Sequence, residues 1–125
     1  MSIDMKIEVV FLGVTDVDRA KAFYVDKVGF HADHDQVVHE GLRFVQLTPP
    51  GSACSIAFGE GITDMAVGAQ KGVMMVVDDV REQRDRLIAA GVEVTEVDEM
   101  AWGSFVFFAD PDGNGWTLQQ LPKRD

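Results

Sequence analysis

An internal repeat constrains this chain more than any single side chain does. Val14, Asp16 and Val17 recur 63 positions later as Val77, Asp79 and Val80, and Gly29, Gly41 and Gly51 recur 62 positions later as Gly91, Gly103 and Gly113. A chain of 125 residues that repeats once at this period builds one domain from two similar halves. The period exceeds that of helical solenoids and only two copies are present. Paired halves around a cleft are therefore expected, rather than an open array.

Each half reads βαβββ. Residues 6–14 are apolar and rich in β-branched side chains, as a strand requires. Asp16 offers a carboxylate to the free amides of a helix starting near Val17, along which Ala20, Phe23, Tyr24 and Lys27 keep helical spacing. Gly29 ends that helix where a left-handed residue is needed. Residues 30–37, 42–48 and 53–58 follow as strands, separated by Glu40-Gly41 and by Pro49-Pro50-Gly51. In the second half residues 72–77 read as a strand and 80–90 as a helix, with Val80, Leu87 and Ile88 as its apolar stripe and Gly91 as its stop. Residues 92–97, 104–109 and 115–121 read as the remaining strands. The expected fold class is α+β. A single domain, residues 1–125, holds two tandem βαβββ modules, 1–59 and 70–125, joined by 60–69, whose curved mixed sheets enclose a cleft.

Composition bounds the function. At 46% hydrophobic and 26% charged residues, the chain matches a compact domain burying roughly 65–70% of its unfolded surface. One cysteine, Cys54, cannot form an internal disulfide, and no basic segment followed by an apolar run opens the sequence, so a cytoplasmic protein is expected. No apolar run approaches the roughly 20 residues of a membrane helix. The 21 acidic residues outnumber 11 basic ones, for a formal charge of -10. That balance repels nucleic-acid phosphates and anionic membranes and favours cationic partners.

The run from Val14 through Asp16, Asp18, Ala20, Phe23 and Tyr24, followed by Gly29-Phe30, and the later segment Phe108-Ala109-Asp110-Pro111-Asp112-Gly113-Asn114 resemble the vicinal oxygen chelate superfamily. That superfamily contains glyoxalase I, extradiol dioxygenases, fosfomycin resistance enzymes and bleomycin resistance proteins. The resemblance spans nearly the whole chain and implies the glyoxalase/bleomycin resistance fold, without fixing a reaction. Turn chemistry already accounts for Asp110 and Asp112. Proline presets φ, the carboxylates accept local backbone bonds, and Gly113 takes a conformation other residues resist.

Metal-dependent members of that superfamily place four histidine, glutamate or glutamine ligands on the first and last strands of both halves. Carried onto this chain, those places fall on Val9, Ser55, Gly72 and Thr117. Valine and glycine side chains donate nothing to a divalent ion, and neutral hydroxyls bind it weakly. Sliding by one residue meets at most Glu8 and Cys54 and turns each side chain to the wrong face. No metal and no cofactor are implied. His31, His34 and His39 cluster elsewhere, beside Asp33 and Asp35, and read as solvated hairpin histidines. Cys54 reads as a packed thiol rather than a nucleophile.

A cleft without metal recognises ligands by shape and aromatic surface. The expected ligand-binding residues are Val9, Phe11, Arg43, Ser55, Met74, Trp102, Phe105, Phe107, Thr117 and Gln119. Phe105 and Phe107 face the cleft if Phe107 pairs with Thr117. The opposite register keeps both as core beneath the helices. Catalytic residues are not identified, and three functions compete. The first, resting on the resemblance, is a metal-independent small-molecule binder of the bleomycin-resistance kind, sequestering an aromatic or cationic ligand. The second is a glyoxalase I-like lyase or dioxygenase-type enzyme. The third is a metal-free isomerase or epimerase with Glu8 or Glu40 as base. Superfamily members similar to this chain pair as dimers, so a homodimer is expected.

Overall fold

The computed structural model describes residues 3–123. Residues 1, 2, 124 and 125, the outer ends of the two expected modules, lie outside the described residues. Strand β1 (Val9–Phe11) leads into helix α1 (Val17–Ala22), which continues as π-helical turns over Phe23–Val28. Strands β2 (His31–His39), β3 (Leu42–Thr48) and β4 (Ser55–Glu60) complete the first half. The second half runs β5 (Val73–Val76), α2 (Val80–Ala89), β6 (Asp98–Met100), β7 (Gly103–Ala109) and β8 (Gly115–Gln120). Two four-stranded mixed sheets result, ordered β1-β4-β3-β2 and β5-β8-β7-β6. In each, the first strand lies parallel to the last and the other pairs are antiparallel.

The repeated aspartates do the same local work. Asp16 Oδ1 accepts from Arg19 N at 3.1 Å, and Asp79 Oδ1 accepts from Glu82 N at 3.0 Å, so each caps a helix that leaves its sheet. Past Ala22 the first helix widens, and Gly29 N reaches back to Tyr24 O at 2.9 Å, a bond one residue longer than an α-helix makes. The consecutive rings of Phe23 and Tyr24 are both buried in this stretch. Gly29 then closes it at φ +98°, a left-handed conformation that glycine adopts at no steric cost.

One hydrophobic cluster joins the halves. It takes Val45, Leu47, Ile56 and Phe58 from the first sheet, Val106, Phe108, Trp116 and Leu118 from the second, and Tyr24, Val80 and Leu87 from the helical segments. Tyr24 stacks on Phe30 with centroids 5.5 Å apart and meets Trp116 edge-on at 5.7 Å. Ring pairs of this geometry add to the area they bury. Because this core collects the helix-side face of each sheet, the opposite faces are turned away from it.

Three expected elements differ. Residues 92–97 form no strand, because Thr95 is held singly, its N donating to Phe107 O and its Oγ1 accepting from Phe107 N, while Arg84 Nε takes its carbonyl. Pairing with β7 starts only at Asp98. The first strand is confined to Val9–Phe11. Ile88 is 44% exposed, so the stripe of α2 consists of Val80 and Leu87.

The turn after β7 binds the halves from another direction. Asn114 is fully buried, its Nδ2 donating to Gly13 O at 3.0 Å and its Oδ1 accepting from Gln70 N at 3.1 Å. A Cβ at Gly13 would sit 2.4 Å from the Ala66 carbonyl, so only glycine lets the connector pass this close.

Candidate functional site

Side chains alternate across a sheet, so register decides which of them share a face. In the first sheet Val45 is level with Phe58 and Leu47 with Ile56, all four in the core. Gln46, Thr48, Ser55 and Ala57 therefore point away from the helices. Val9 is level with Ser55 and Phe11 with Ala57, which extends that face to β1. In the second sheet Phe107 is level with Thr117, and Thr117 with Met74. Phe105 is level with Gln119, and Gln119 with Val76. Neighbouring positions Val106, Phe108, Trp116 and Leu118 fill the core. Phe105 and Phe107 therefore lie on the face turned from the helices.

The two open faces differ in chemistry. On the second sheet Met74 (53% exposed), Val76 (60%) and Phe107 (45%) present apolar surface. Trp102, 63% exposed, stands at the entrance to β7, where Gln119 Nε2 donates to its carbonyl at 3.0 Å. Beside them Phe105 and Thr117 are buried. The first sheet carries a polar row instead. Thr48 Oγ1 lies 2.6 Å from Ser55 Oγ and donates to Asp33 Oδ2, so Asp33, Thr48 and Ser55 form a line across β2, β3 and β4. Of the expected residues, the structure places Val9, Phe11 and Ser55 on one open face, and Met74, Phe105, Phe107, Thr117 and Gln119 on the other.

Arg43 is a correction, since it points to the helix side. Its Nη1 meets Asp18 Oδ1 at 2.9 Å, and its Nε and Nη2 fork onto Asp35 at 3.0 and 2.9 Å. Lys21 Nζ adds a contact to Asp35 at 2.9 Å. Hydrogen bonds from Arg43 and then Lys21 hold the Asp35 carboxyl well below the usual carboxylate range, and Asp35 in turn raises the Arg43 guanidinium. The 62-residue repeat aligns Arg43 with Phe105, but the two sheets do not pair alike. Ile56 is level with Leu47, but its counterpart Leu118 is level with Val106, three positions short of the repeat. An odd offset reverses the face.

Gly72 is a second correction. Thr117 is level with Met74, two positions later, because fewer residues connect β5 to its helix cap than connect β1 to Asp16. The four side chains in register are thus Val9, Ser55, Met74 and Thr117. An alkyl group, a thioether and two neutral hydroxyls do not fit a hard or borderline divalent ion. Among the described residues no group of three His, Cys, Asp or Glu side chains is arranged to hold a metal ion. His31, His34 and His39 are exposed along β2. His31 Nε2 lies 3.8 Å from Asp33 Oδ1, and His39 Nδ1 lies 2.8 Å from Glu40 O. Glu40 occupies the exposed turn between β2 and β3, and exposed Glu8 precedes β1.

Sequence reasoning missed Asp33 and Thr48. Asp33 reaches the open face through an irregularity between Ala32 and His34, where the β2–β3 register shifts. It also missed a cavity of about 510 Å³ lined by Phe30, Leu87, Phe108 and Leu118, by Met74 and Val76 of β5, and by Pro49 and Arg86. The Arg86 guanidinium there is engaged by the Val28 carbonyl at 2.8 Å and the Gln83 side chain at 3.0 Å.

Residues 6–118 match the model of the Glyoxalase/Bleomycin resistance protein/Dioxygenase superfamily. TnmS3, an antibiotic binding protein from Streptomyces sp. CB03234, is 31% identical, with 98% of this chain and 100% of that chain covered at a TM-score of 0.88. A glyoxalase/bleomycin resistance protein from the same source is 33% identical, covering 92% and 100% of the two chains at a TM-score of 0.82. YetH, an uncharacterized protein of Bacillus subtilis, is 26% identical over 92% of this chain and 98% of its own length.

Proposed function

The chain belongs to the Glyoxalase/Bleomycin resistance protein/Dioxygenase superfamily, and from that premise we propose that it is a metal-independent small-molecule-binding protein that sequesters an aromatic or cationic ligand. The observation that carries the reading is the open face of the second sheet. Met74, Val76, Phe107 and Trp102 expose apolar surface there, and surface of this kind on a folded domain serves recognition. The similarity to an antibiotic binding protein supports it. So do the side chains at Val9, Ser55, Met74 and Thr117, since a lyase or dioxygenase of this fold uses stronger donors at such positions.

The binding residues of this proposal are Val9, Phe11, Ser55, Met74, Trp102, Phe105, Phe107, Thr117 and Gln119. We place the protein in the cytoplasm as a homodimer, because the edge strands β2 and β6 leave backbone groups that a second copy can pair with across a two-fold axis. Among the described residues no helix is long and apolar enough to cross a membrane.

Fluorescence titration with ethidium and with bleomycin tests the binding, and light scattering after size exclusion tests the dimer. Saturable quenching of the exposed Trp102, lost in Trp102→Phe while the buried Trp116 keeps its emission, is the expected result. Conversion of either compound to a product would move the reading to an enzyme. An invariant spectrum and melting temperature with both compounds would remove its support.

A further inference from the structure

We propose that Asp33, Thr48 and Ser55 form a reader of a protonated amine, which makes the ligand an aromatic ring system bearing an ammonium group. This rests on the binding function proposed above and names its substrate class. Proton direction sets what the row can bind. An ionised carboxylate only accepts, so the Thr48 hydroxyl donates to Asp33 Oδ2. With that proton committed, the 2.6 Å contact between Thr48 Oγ1 and Ser55 Oγ requires Ser55 to donate to Thr48. The row is thereby ordered from Ser55 to Asp33, and the sites it leaves unfilled are lone pairs. A group that docks on it must bring hydrogens. Carboxylates and phosphates would meet only like polarity.

The charge is also unspent. Arg43 and Lys21, on the helix side of the same sheet, are bound by Asp35. Among the described residues the ion-pair contact to Asp33 is His31, at 3.8 Å. The Asp33 side chain is 27% exposed, open to a ligand yet held in place by Thr48. The protein's net charge of -10 raises the local concentration of cations around such a site. On the same open face Val9 is level with Ser55 and Phe11 with Ala57, an apolar wall that suits the rings that carry the amine.

Three compounds with one ring system separate the contributions: 1-naphthylmethylamine, 1-naphthylmethanol and 1-naphthoate, titrated by NMR into the full chain and into Asp33→Asn. The substituted amide still accepts from Thr48, and an unchanged melting temperature shows that the fold persists. The amine binds about tenfold tighter than the alcohol in the parent, with the carboxylate weakest, and Asp33→Asn brings the amine to the level of the alcohol. An unchanged amine-to-alcohol ratio in Asp33→Asn, or naphthoate binding as tightly as the amine, overturns the assignment and leaves the binding function standing. Failure of all three compounds, and of ethidium and bleomycin, removes the binding function and this inference together.

Discussion

Tyr24 Oη donates to Asp110 Oδ2 at 2.7 Å inside the core, so the helical segment of the first half is bonded to the turn of the second. Trp116 Nε1 donates to the same hydroxyl at 2.9 Å. Asp110 also accepts from Asp112 N, Asn114 N and Asn114 Nδ2. Burial first, and the neighbouring carboxylate second, push the Tyr24 phenol far up, which keeps it a proton donor. Tyr24→Phe leaves the indole without an acceptor and the carboxylate short of one donor. It should cost about 1–3 kcal/mol, while Asp110→Ala, which orphans four donors, should cost more. Urea unfolding of both variants measures this. A Tyr24→Phe midpoint equal to the parent's would show that the bond contributes nothing.

The fork of Arg43 on Asp35 makes an acid-sensitive contribution to stability. The folded carboxyl is lowered, so below the unfolded value of about 3.9 the unfolded chain binds more protons. The contribution is fully present above that value and is lost as pH falls through the lowered folded value. Asp35→Asn should therefore be less stable than the parent at neutral pH, with the gap narrowing steadily as pH falls below about 4. Urea midpoints across this range check it. A gap of constant size would assign the loss to packing rather than to charge.

Phe107 and Phe108 are neighbours with opposite duties, since one is 45% exposed and the other 5%. Phe108→Ala should cost about 3–5 kcal/mol by opening a cavity beside Trp116. Phe107→Ala should change stability by about 0.5 kcal/mol or less. It should nevertheless weaken ethidium binding about threefold to tenfold. Paired urea and fluorescence titrations decide this. Intact binding after Phe107→Ala would take the second sheet's open face out of the site.

The repeat made the architecture legible because it marks what each half must do alike. Asp16 and Asp79 both cap helices, and Gly29 and Gly91 both follow helices in left-handed conformations. The faces of β8 were legible too, since Trp116 and Thr117 part at the sheet plane. The two halves do not share connection lengths, and nothing in Pro49-Pro50-Gly51 announces a pairing three positions out of step with Asp110–Asn114. Arg43 therefore faces the helices, although the repeat aligns it with Phe105 on the open face. Asp33 was missed because an irregularity in β2 has no residue signature when neither glycine nor proline marks it.

The two-residue offset at β5 has its own test. Two histidines hold a divalent ion only when their rings converge, which side chains level on adjacent strands can do and side chains offset along them cannot. Met74 is level with Thr117, whereas Gly72 precedes the strand at φ +83°. Met74→His with Thr117→His should therefore retain cobalt(II) or nickel(II) about tenfold more tightly than Gly72→His with Thr117→His. Met74 is exposed and Gly72 has open space around its missing Cβ, although its φ strains any side chain. Thermal melts establish that both pairs fold, and titration followed by visible absorption reads the affinity. Equal affinity in the two variants would restore the register that the repeat suggests and move the fourth position of the open faces back to Gly72.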